Sequence, residues 1–550
     1  MRVRKSGLKI GRILSLVFAV ALPALLLPGH AMAGTPDHGS CPRPAEGSEV
    51  QPPPDLFSAG GKLKLAFNYW TDLDSRNRTL FCFVTPDGMQ SPTLHVNPGD
   101  TIEIALTNRV PLPPNTGHGM LMNVQCGEKW MTLVSVNIHY HGTNTSPKCG
   151  HDESIRTLVN SGQTFTYTLH IPADEPPGLY WYHPHVHGIA SMAVQGGASG
   201  LIVVEGIENI QPAVAGLPQR LLILRDQPLA RQGGHSHKPQ PNWDISINYV
   251  PVPYPHYPPA IIKMQRGTTE FWRVSNSAAN TIMDLQVKYD GKAQPLQIAA
   301  FDGVPTGSQD GKRQGTLITQ RDILVPPAGR VEFLVAAPPA GVSKAQFVTR
   351  TIDGGPASDS NPARPIADIV TVDAPAHLPR VPERARPPGP QRFENILDAK
   401  VTAKRKLFFS ETPAKNGDGR GAEGTNFYIT VDGTFRHIFN PNNPPDITTN
   451  KGAVEDWVIE NRSTEVHEFH IHQIHFLLLE INGKRVPKEQ QQWYDTFQVP
   501  YWDGISGTYP SIKVRMDFRG AVIGDFVYHC HILDHEDAGM MAIIRVLPPV

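Results

Sequence analysis

The sequence predicts an all-β protein built as three consecutive β-sandwich domains, and three observations carry that prediction. Its 550 residues exceed the length of one ordinary domain. Its 48 Gly and 53 Pro break helices and supply turns, while Asp, Glu, Lys and Arg together make up only 18% of the chain. A strand signature also recurs three times: Gly99, Gly267 and Gly452 each lead through an apolar strand to Asn108, Asn276 and Asn461, nine residues on in every copy. The copies begin 168 and 185 residues apart, too long a period for a solenoid repeat and a fitting length for one sandwich each.

From the N-terminus, Arg2, Arg4, Lys5, Lys9 and Arg12 precede the apolar run Ile13 to Leu27, and Ala31-Met32-Ala33 follows as a small-residue cleavage site. Residues 1–33 therefore read as a secretory signal peptide. The run contains Pro23 and falls short of the roughly 20 residues that cross a bilayer, so the expectation is an exported protein, periplasmic or secreted, with no retained anchor. Cleavage removes those five positive charges and leaves a mildly acidic chain, which argues against nucleic acid as a partner. Cys41, Cys82, Cys126 and Cys149 then suggest two disulfides, with all three pairings open; Cys530 stands apart, among histidines.

Composition places the domains at residues 60–206, 218–373 and 398–550. The junction from Gly206 to Pro218 separates the first two, and a Pro/Arg-rich linker at 374–397 separates the last two. In the third domain, Glu468 to Ile481 reads as one strand closed by an Asn482-Gly483 hairpin turn, with further strands at Asp525 to His531 and Met541 to Leu547.

Chance placement of 23 histidines would give about one His-x-His pair, and the chain has six: His139/His141, His183/His185, His185/His187, His235/His237, His470/His472 and His529/His531. Side chains two apart on a strand share a face, so each such pair offers two imidazoles to one pocket. His139, His141, His183, His185, His470, His472, His529 and His531 would suit a cluster of three metals between the first and third domains. The middle domain has Leu285 and Val287 where the third has His470 and His472, and reads as structural. The same alternation turns Cys530 away from its two neighbouring histidines and toward a separate site. With His467, His535 and Met540 it makes the thiolate, two-imidazole and thioether set of a blue-copper centre.

Four blocks now define a resemblance: Asn137-Ile-His-Tyr-His-Gly142, Tyr180-Trp-Tyr-His-Pro-His185, His467-Glu-Phe-His-Ile-His472 and His529-Cys-His-Ile-Leu-Asp-His-Glu-Asp-Ala-Gly-Met540. Together they resemble the multicopper oxidases, bacterial three-domain laccase-like enzymes in particular, over nearly the whole chain from residue 60 onward. The resemblance implies three cupredoxin-like Greek-key β-sandwiches and four copper ions. It implies that His139 and His470 hold the type 2 copper, that His141, His183 and His531 hold one type 3 copper, and that His185, His472 and His529 hold the other. His467, Cys530, His535 and axial Met540 would hold the type 1 copper. Two departures stand out: Glu468 occupies a position where Pro is frequent, and Gln473-Ile474-His475 replaces a frequent Gly-His.

Other residues read more plainly. His187 is expected to be a hydrogen-bonding neighbour of the cluster, His475 a packed strand residue, Met541 turned away from the copper, and His235/His237 a loop pair without metal. Dioxygen reduction consumes protons, and Glu536 resembles the family's proton-donating acid, with Asp152 a second relay candidate.

The implied activity is a copper-dependent oxidase that takes single electrons from a small-molecule donor near His467 and passes them to O2. A phenol or aryl amine is favoured as donor over Cu(I), Fe(II) or Mn(II), because the chain has only 12 Met and no Met-rich run. A copper-free scaffold protein is the distant alternative, and no expected ligand is missing.

Overall fold

The computed structural model describes residues 41–114, 116–117, 119–229, 239–308, 315–373, 392–413, 424–520 and 522–549. The expected signal peptide, the His235/His237 pair and residues 374–391 of the expected linker lie outside the described residues. The architecture is all-β, with pairs of sheets enclosing three apolar cores.

The first core lies between a five-stranded sheet (Asp55–Phe57, Thr93–Val96, Gly200–Val204, Gly178–His183, His139–His141) and a four-stranded one (Thr79–Val84, Lys62–Leu73, Thr101–Asn108, Thr164–His170). Strict alternation does the sorting: in Thr101–Asn108, Ile102, Ile104 and Leu106 are buried while the residues between them are half-exposed. An eight-stranded and a six-stranded sheet enclose the middle core, which includes Leu285 and Val287. A seven-stranded and a five-stranded sheet enclose the third, around Trp457, Phe469, Tyr528 and Cys530.

The threefold sequence signature has a physical cause. Each copy is a strand, Thr101–Asn108, Thr269–Asn276 or Val454–Asn461, that pairs in parallel with an earlier strand of its own sheet. Each closing Asn is buried, and its amide N–H groups donate to two backbone carbonyls of other segments: Val134 and Val159, Thr281 and Val325, or Glu465 and Val499. Its side-chain oxygen accepts the N–H two residues on, from Val110, Ala278 or Ser463. A buried backbone carbonyl without a partner costs as much as a lost hydrogen bond, and one Asn covers two of them wherever a chain leaves its sheet. The second and third copies share another device: Glu270 and Glu455 accept from Trp272 and Trp457 and pair with Arg220 and Arg405.

The Glu468 to Ile481 run is two strands, contrary to the single strand expected. His467–Ile471 belongs to the five-stranded sheet and Phe476–Ile481 to the seven-stranded one. Between them Gln473 takes a left-handed backbone, φ 58°, so the chain can cross from sheet to sheet. Both halves are buried, so hydrophobic pattern alone does not mark the break. The Asn482-Gly483 turn does close a hairpin, onto Lys484–Arg485. The disulfides are Cys41–Cys82 and Cys126–Cys149. No helix among the described residues is long and apolar enough to cross a membrane.

At the edge of the first five-stranded sheet, His95 is clamped between Glu205 (Nδ1 to Oε1, 2.6 Å) and Asp55 (Nε2 to Oδ1, 3.0 Å), tying three strands together. Burial pulls the imidazole's pKa down, but hydrogen bonds to the two carboxylates outweigh it and the net shift is upward. A raised pKa stabilises the fold fully below the unfolded value of about 6.5, and that stabilisation is lost as pH rises through the folded value. The difference in melting temperature between the wild type and His95→Gln should therefore shrink from mildly acidic to alkaline pH; a difference constant across that range would contradict the assignment.

Candidate metal centre

Two antiparallel strand pairs build the histidine cluster. His139–His141 lies against Gly178–His183, with His183 opposite His139. His467–Ile471 lies against Gly524–Cys530, with His470 opposite His529. All eight expected imidazoles meet in one buried space between the N-terminal and C-terminal sandwiches. His139 stacks on His472 with ring centroids 3.7 Å apart, and His141 stacks on His470 at 4.0 Å. His529 Nε2 lies 3.3 Å from His185 Nε2 and 3.2 Å from His472 Nε2. His531 completes the ring, its centroid 5.0 Å from His141 and 5.5 Å from His183.

Six of the eight rings have a nitrogen fixed by a partner. His139 Nδ1 pairs with Asp152 Oδ1 (3.0 Å), His141 Nε2 with Asp495 Oδ1 (3.0 Å), His183 Nδ1 with Pro184 O (2.8 Å) and His470 Nδ1 with Asp495 O (2.8 Å). His472 Nδ1 pairs with Ser154 Oγ (3.2 Å) and His529 Nδ1 with Cys530 O (2.9 Å). This leaves His139 Nε2, His141 Nδ1, His183 Nε2, His470 Nε2 and both nitrogens of His531 buried without a hydrogen-bond partner. Each such orphan costs about 1–3 kcal/mol, and a metal ion is the partner that would satisfy them together. Burial and then mutual repulsion hold His183, His185, His472, His529 and His531 far below the ordinary imidazole pKa. They are neutral, the form that binds metal. The donor set fits copper.

The second centre lies on the other side of the same strand. Cys530 Sγ is 3.6 Å from His467 Nδ1 and 3.8 Å from His535 Nδ1, and the two nitrogens are 3.2 Å apart. Burial pushes the Cys530 thiol far up, a cost that a bound cation offsets. Met540 belongs to the same apolar core as Cys530, whereas Met541 packs with Ile155, Phe439 and Val527 in a different cluster. His467 is fully buried beneath Ser463 Oγ (2.7 Å) and Glu411 Oε1 (3.0 Å). The exposed edge belongs to His535, at 9%, with Phe427 stacked on it at 4.3 Å and Glu465 Oε1 3.5 Å from Nε2. His467 itself lies beneath the strand carrying Glu411, and the small exposed edge of the site is at His535, whose Nδ1 is 3.2 Å from that of His467.

Of the remaining candidates, Asp152 touches the cluster through His139 and also accepts from Gln473 Nε2 at 2.6 Å. Glu536 is buried on the short helix Leu533–Asp537, where burial pushes its pKa up to about 8, with His187 Nδ1 3.7 Å from its Oε1. His475 is buried and bonds Asp302 O at 2.8 Å. It sits in the crossover before strand Phe476–Ile481 rather than on it.

Three functional residues escape the sequence reading. Asp495, between His141 and His470, forms a buried two-pronged ion pair with Arg330 (Nη1 to Oδ1 2.8 Å, Nη2 to Oδ2 2.5 Å). Arg330 belongs to the middle sandwich, and so does Asp302, which accepts from the backbone N–H of Arg330, Asp495 and Thr496. Burial would raise the Asp495 pKa but Arg330 outweighs it, whereas Asp302 is pushed up to about 7 by burial and by Asp495. The middle domain, expected to be structural, thus supplies the cation that pairs with Asp495 beside His141 and His470. Gly142 shows how close the latch comes: a Cβ there would collide with the Arg330 guanidinium and the Asp495 carboxylate, and its φ is +87°. No local pattern announces contacts at sequence separations of 165 and 193.

Two segments, residues 132–209 and 422–550, match family profiles described as multicopper oxidase. A multicopper oxidase from Staphylococcus haemolyticus is 23% identical over 460 residues, covering 83% of this chain and 81% of its own. A variant of a multicopper oxidase from the hyperthermophile Aquifex aeolicus superposes with a TM-score of 0.64 at 19% identity, over 91% of this chain and 99% of that one. A multicopper oxidase from Campylobacter jejuni, described as a metallo-oxidase, superposes with a TM-score of 0.63 at 20% identity, over 92% and 96%.

Arg330→Met strands the Asp495 charge and should destabilise the fold by about 3–5 kcal/mol in denaturant unfolding. Adding Asp495→Asn should recover part of that loss; equal destabilisation in the single and double variants would show that the pair is not coupled.

Proposed function

Because the chain belongs to the multicopper oxidase family, we propose that it couples one-electron oxidation of a small reductant to reduction of dioxygen to water. His139 and His470 would hold a type 2 copper; His141, His183 and His531, with His185, His472 and His529, a type 3 pair; and His467, Cys530, His535 and Met540 a type 1 copper. Copper bound there supplies one-electron redox chemistry and the four-electron reduction of O2. The protein fixes the ligand geometry and joins the two centres covalently, since Cys530 is bonded through backbone to His529 and His531. Asp152 and Glu536 are the proton-relay candidates, the first touching His139 and the second buried next to His535 on the helix Leu533–Asp537.

The observation that carries the donor assignment is the pair of carboxylates at the outer nitrogens of the type 1 histidines. Glu411 meets His467 and Glu465 meets His535. Burial and Glu411 push Glu465 up to about 9, while the bond to His467 outweighs burial and holds Glu411 low. The ionised Glu411 beside His467 favours a cation, and carboxylate oxygens suit Fe(II) or Mn(II) better than Cu(I), which prefers thioethers. The phenol or aryl-amine reading rests on the absence of a Met-rich run. That absence counts only against Cu(I), so the geometry tips the balance toward a metal-ion oxidase.

Oxygen uptake by the copper-loaded protein should be faster with Fe(II) or Mn(II) than with a methoxyphenol, and Glu411→Gln should raise KM for the metal ion about tenfold while sparing the phenol. Faster uptake with the phenol in the wild type would overturn the donor assignment. Copper content near four per chain supports the enzyme; well under four after full loading supports a scaffold. Glu536→Gln should lower kcat and alter its pH profile, and an unchanged profile would remove Glu536 from the relay.

A further inference from the structure

Glu468 stands where Pro is frequent in the sequences this chain resembles, and the structure gives that departure a chemical meaning. The residue lies between His467 and Phe469, on the strand beside Gly524–Cys530, with Phe469 opposite Cys530. Its backbone N–H donates to Cys530 Sγ at 3.4 Å. A second donor, the backbone N–H of Ile532, reaches the same sulfur. The Glu468 carbonyl accepts from the His531 N–H at 2.8 Å, so the residue is tied to both sides of Cys530 and its N–H is held on the sulfur. A Pro at this position would have no N–H to offer.

We propose that the Glu468 backbone N–H raises the reduction potential of the type 1 site, acting as a positioning residue on the Cys530 sulfur. This rests on the type 1 assignment of His467, Cys530 and His535 above. Hydrogen bonding around a cysteine sulfur is one of the levers that set the potential of a blue-copper site. The positive end of the N–H dipole, aimed at the thiolate, withdraws electron density that the sulfur would otherwise donate to the oxidised metal. The oxidised state depends on that donation more than the reduced one, so the hydrogen bond favours the reduced state. The Glu468 side chain, whose Oε1 accepts from Gln498 Nε2 at 2.9 Å, also acts on Cys530, but through its charge and in the opposite sense, since a carboxylate disfavours added electron density where the N–H favours it.

The test separates backbone from side chain in the copper-loaded protein. Glu468→Ala and Glu468→Gln keep the N–H and lose only the carboxyl, so their type 1 potential should stay at or rise above the wild-type value; Glu468→Pro also loses the N–H and should fall below Glu468→Ala by on the order of tenfold in the one-electron equilibrium constant, about 59 mV. The thiolate-to-copper absorption band should shift in Glu468→Pro relative to Glu468→Ala. Equal potentials in Glu468→Pro and Glu468→Ala overturn the proposal. Should Glu468→Pro fail to fold, pulsed EPR of the oxidised wild type carrying 15N-labelled glutamate decides: a coupling to the Glu468 amide nitrogen across the sulfur is expected, and its absence overturns the proposal. Absence of any type 1 signal in the wild type would instead refute the copper assignment, so the two failures are distinguishable.

Discussion

The molecule depends on one property of extended backbone: consecutive side chains point to opposite sides. At the end of strand Gly524–Cys530 this places His529 against His185 and His472 on one side, and Cys530 against His467 and His535 on the other. Two centres of different chemistry thereby share three consecutive residues, with no loop to lengthen the path between them. A slip of one residue in register against His467–Ile471 would exchange thiolate for imidazole in both centres at once, which makes the register as consequential as the ligands themselves.

Around that strand the protein solves a desolvation problem. Neutral imidazoles are inexpensive to bury, and six of the eight have a nitrogen taken up by a protein group: Asp152, Ser154 or Asp495 from other segments, or the backbone carbonyl of the next residue for His183 and His529. The rings are oriented before any metal arrives, and the unpaired nitrogens face inward. The residues that do this orienting are as buried as the ligands, although most of them carry no motif.

What the chain discloses in advance follows from which contacts are local. The all-β class, the three strands ending in Asn, the strand Met541–Leu547 and the convergence of His139, His141, His183, His185, His470, His472, His529 and His531 all follow from spacing, because period-two geometry acts within a few residues. The break at Gln473 was hidden, since a buried run looks alike whether or not it changes sheets. Which histidine beside Cys530 reaches solvent was hidden too, because Glu411 and Phe427 come from strands more than 30 residues away from His467. Arg330, Asp302 and Asp495 were the least visible: an ion pair across domains has no sequence period.

The Arg330–Asp495 pair bears on how such a chain can be shortened or recombined. Three units with the same Asn-ended strand look like interchangeable blocks, yet the middle one contributes a cation that neutralises a carboxylate lodged among the histidines of the other two. Excising it would leave that negative charge in a dry interior, and replacing it with a foreign block would need an Arg at the same place and a residue without a side chain at Gly142. The chain is repetitive in its strands and indivisible in its electrostatics.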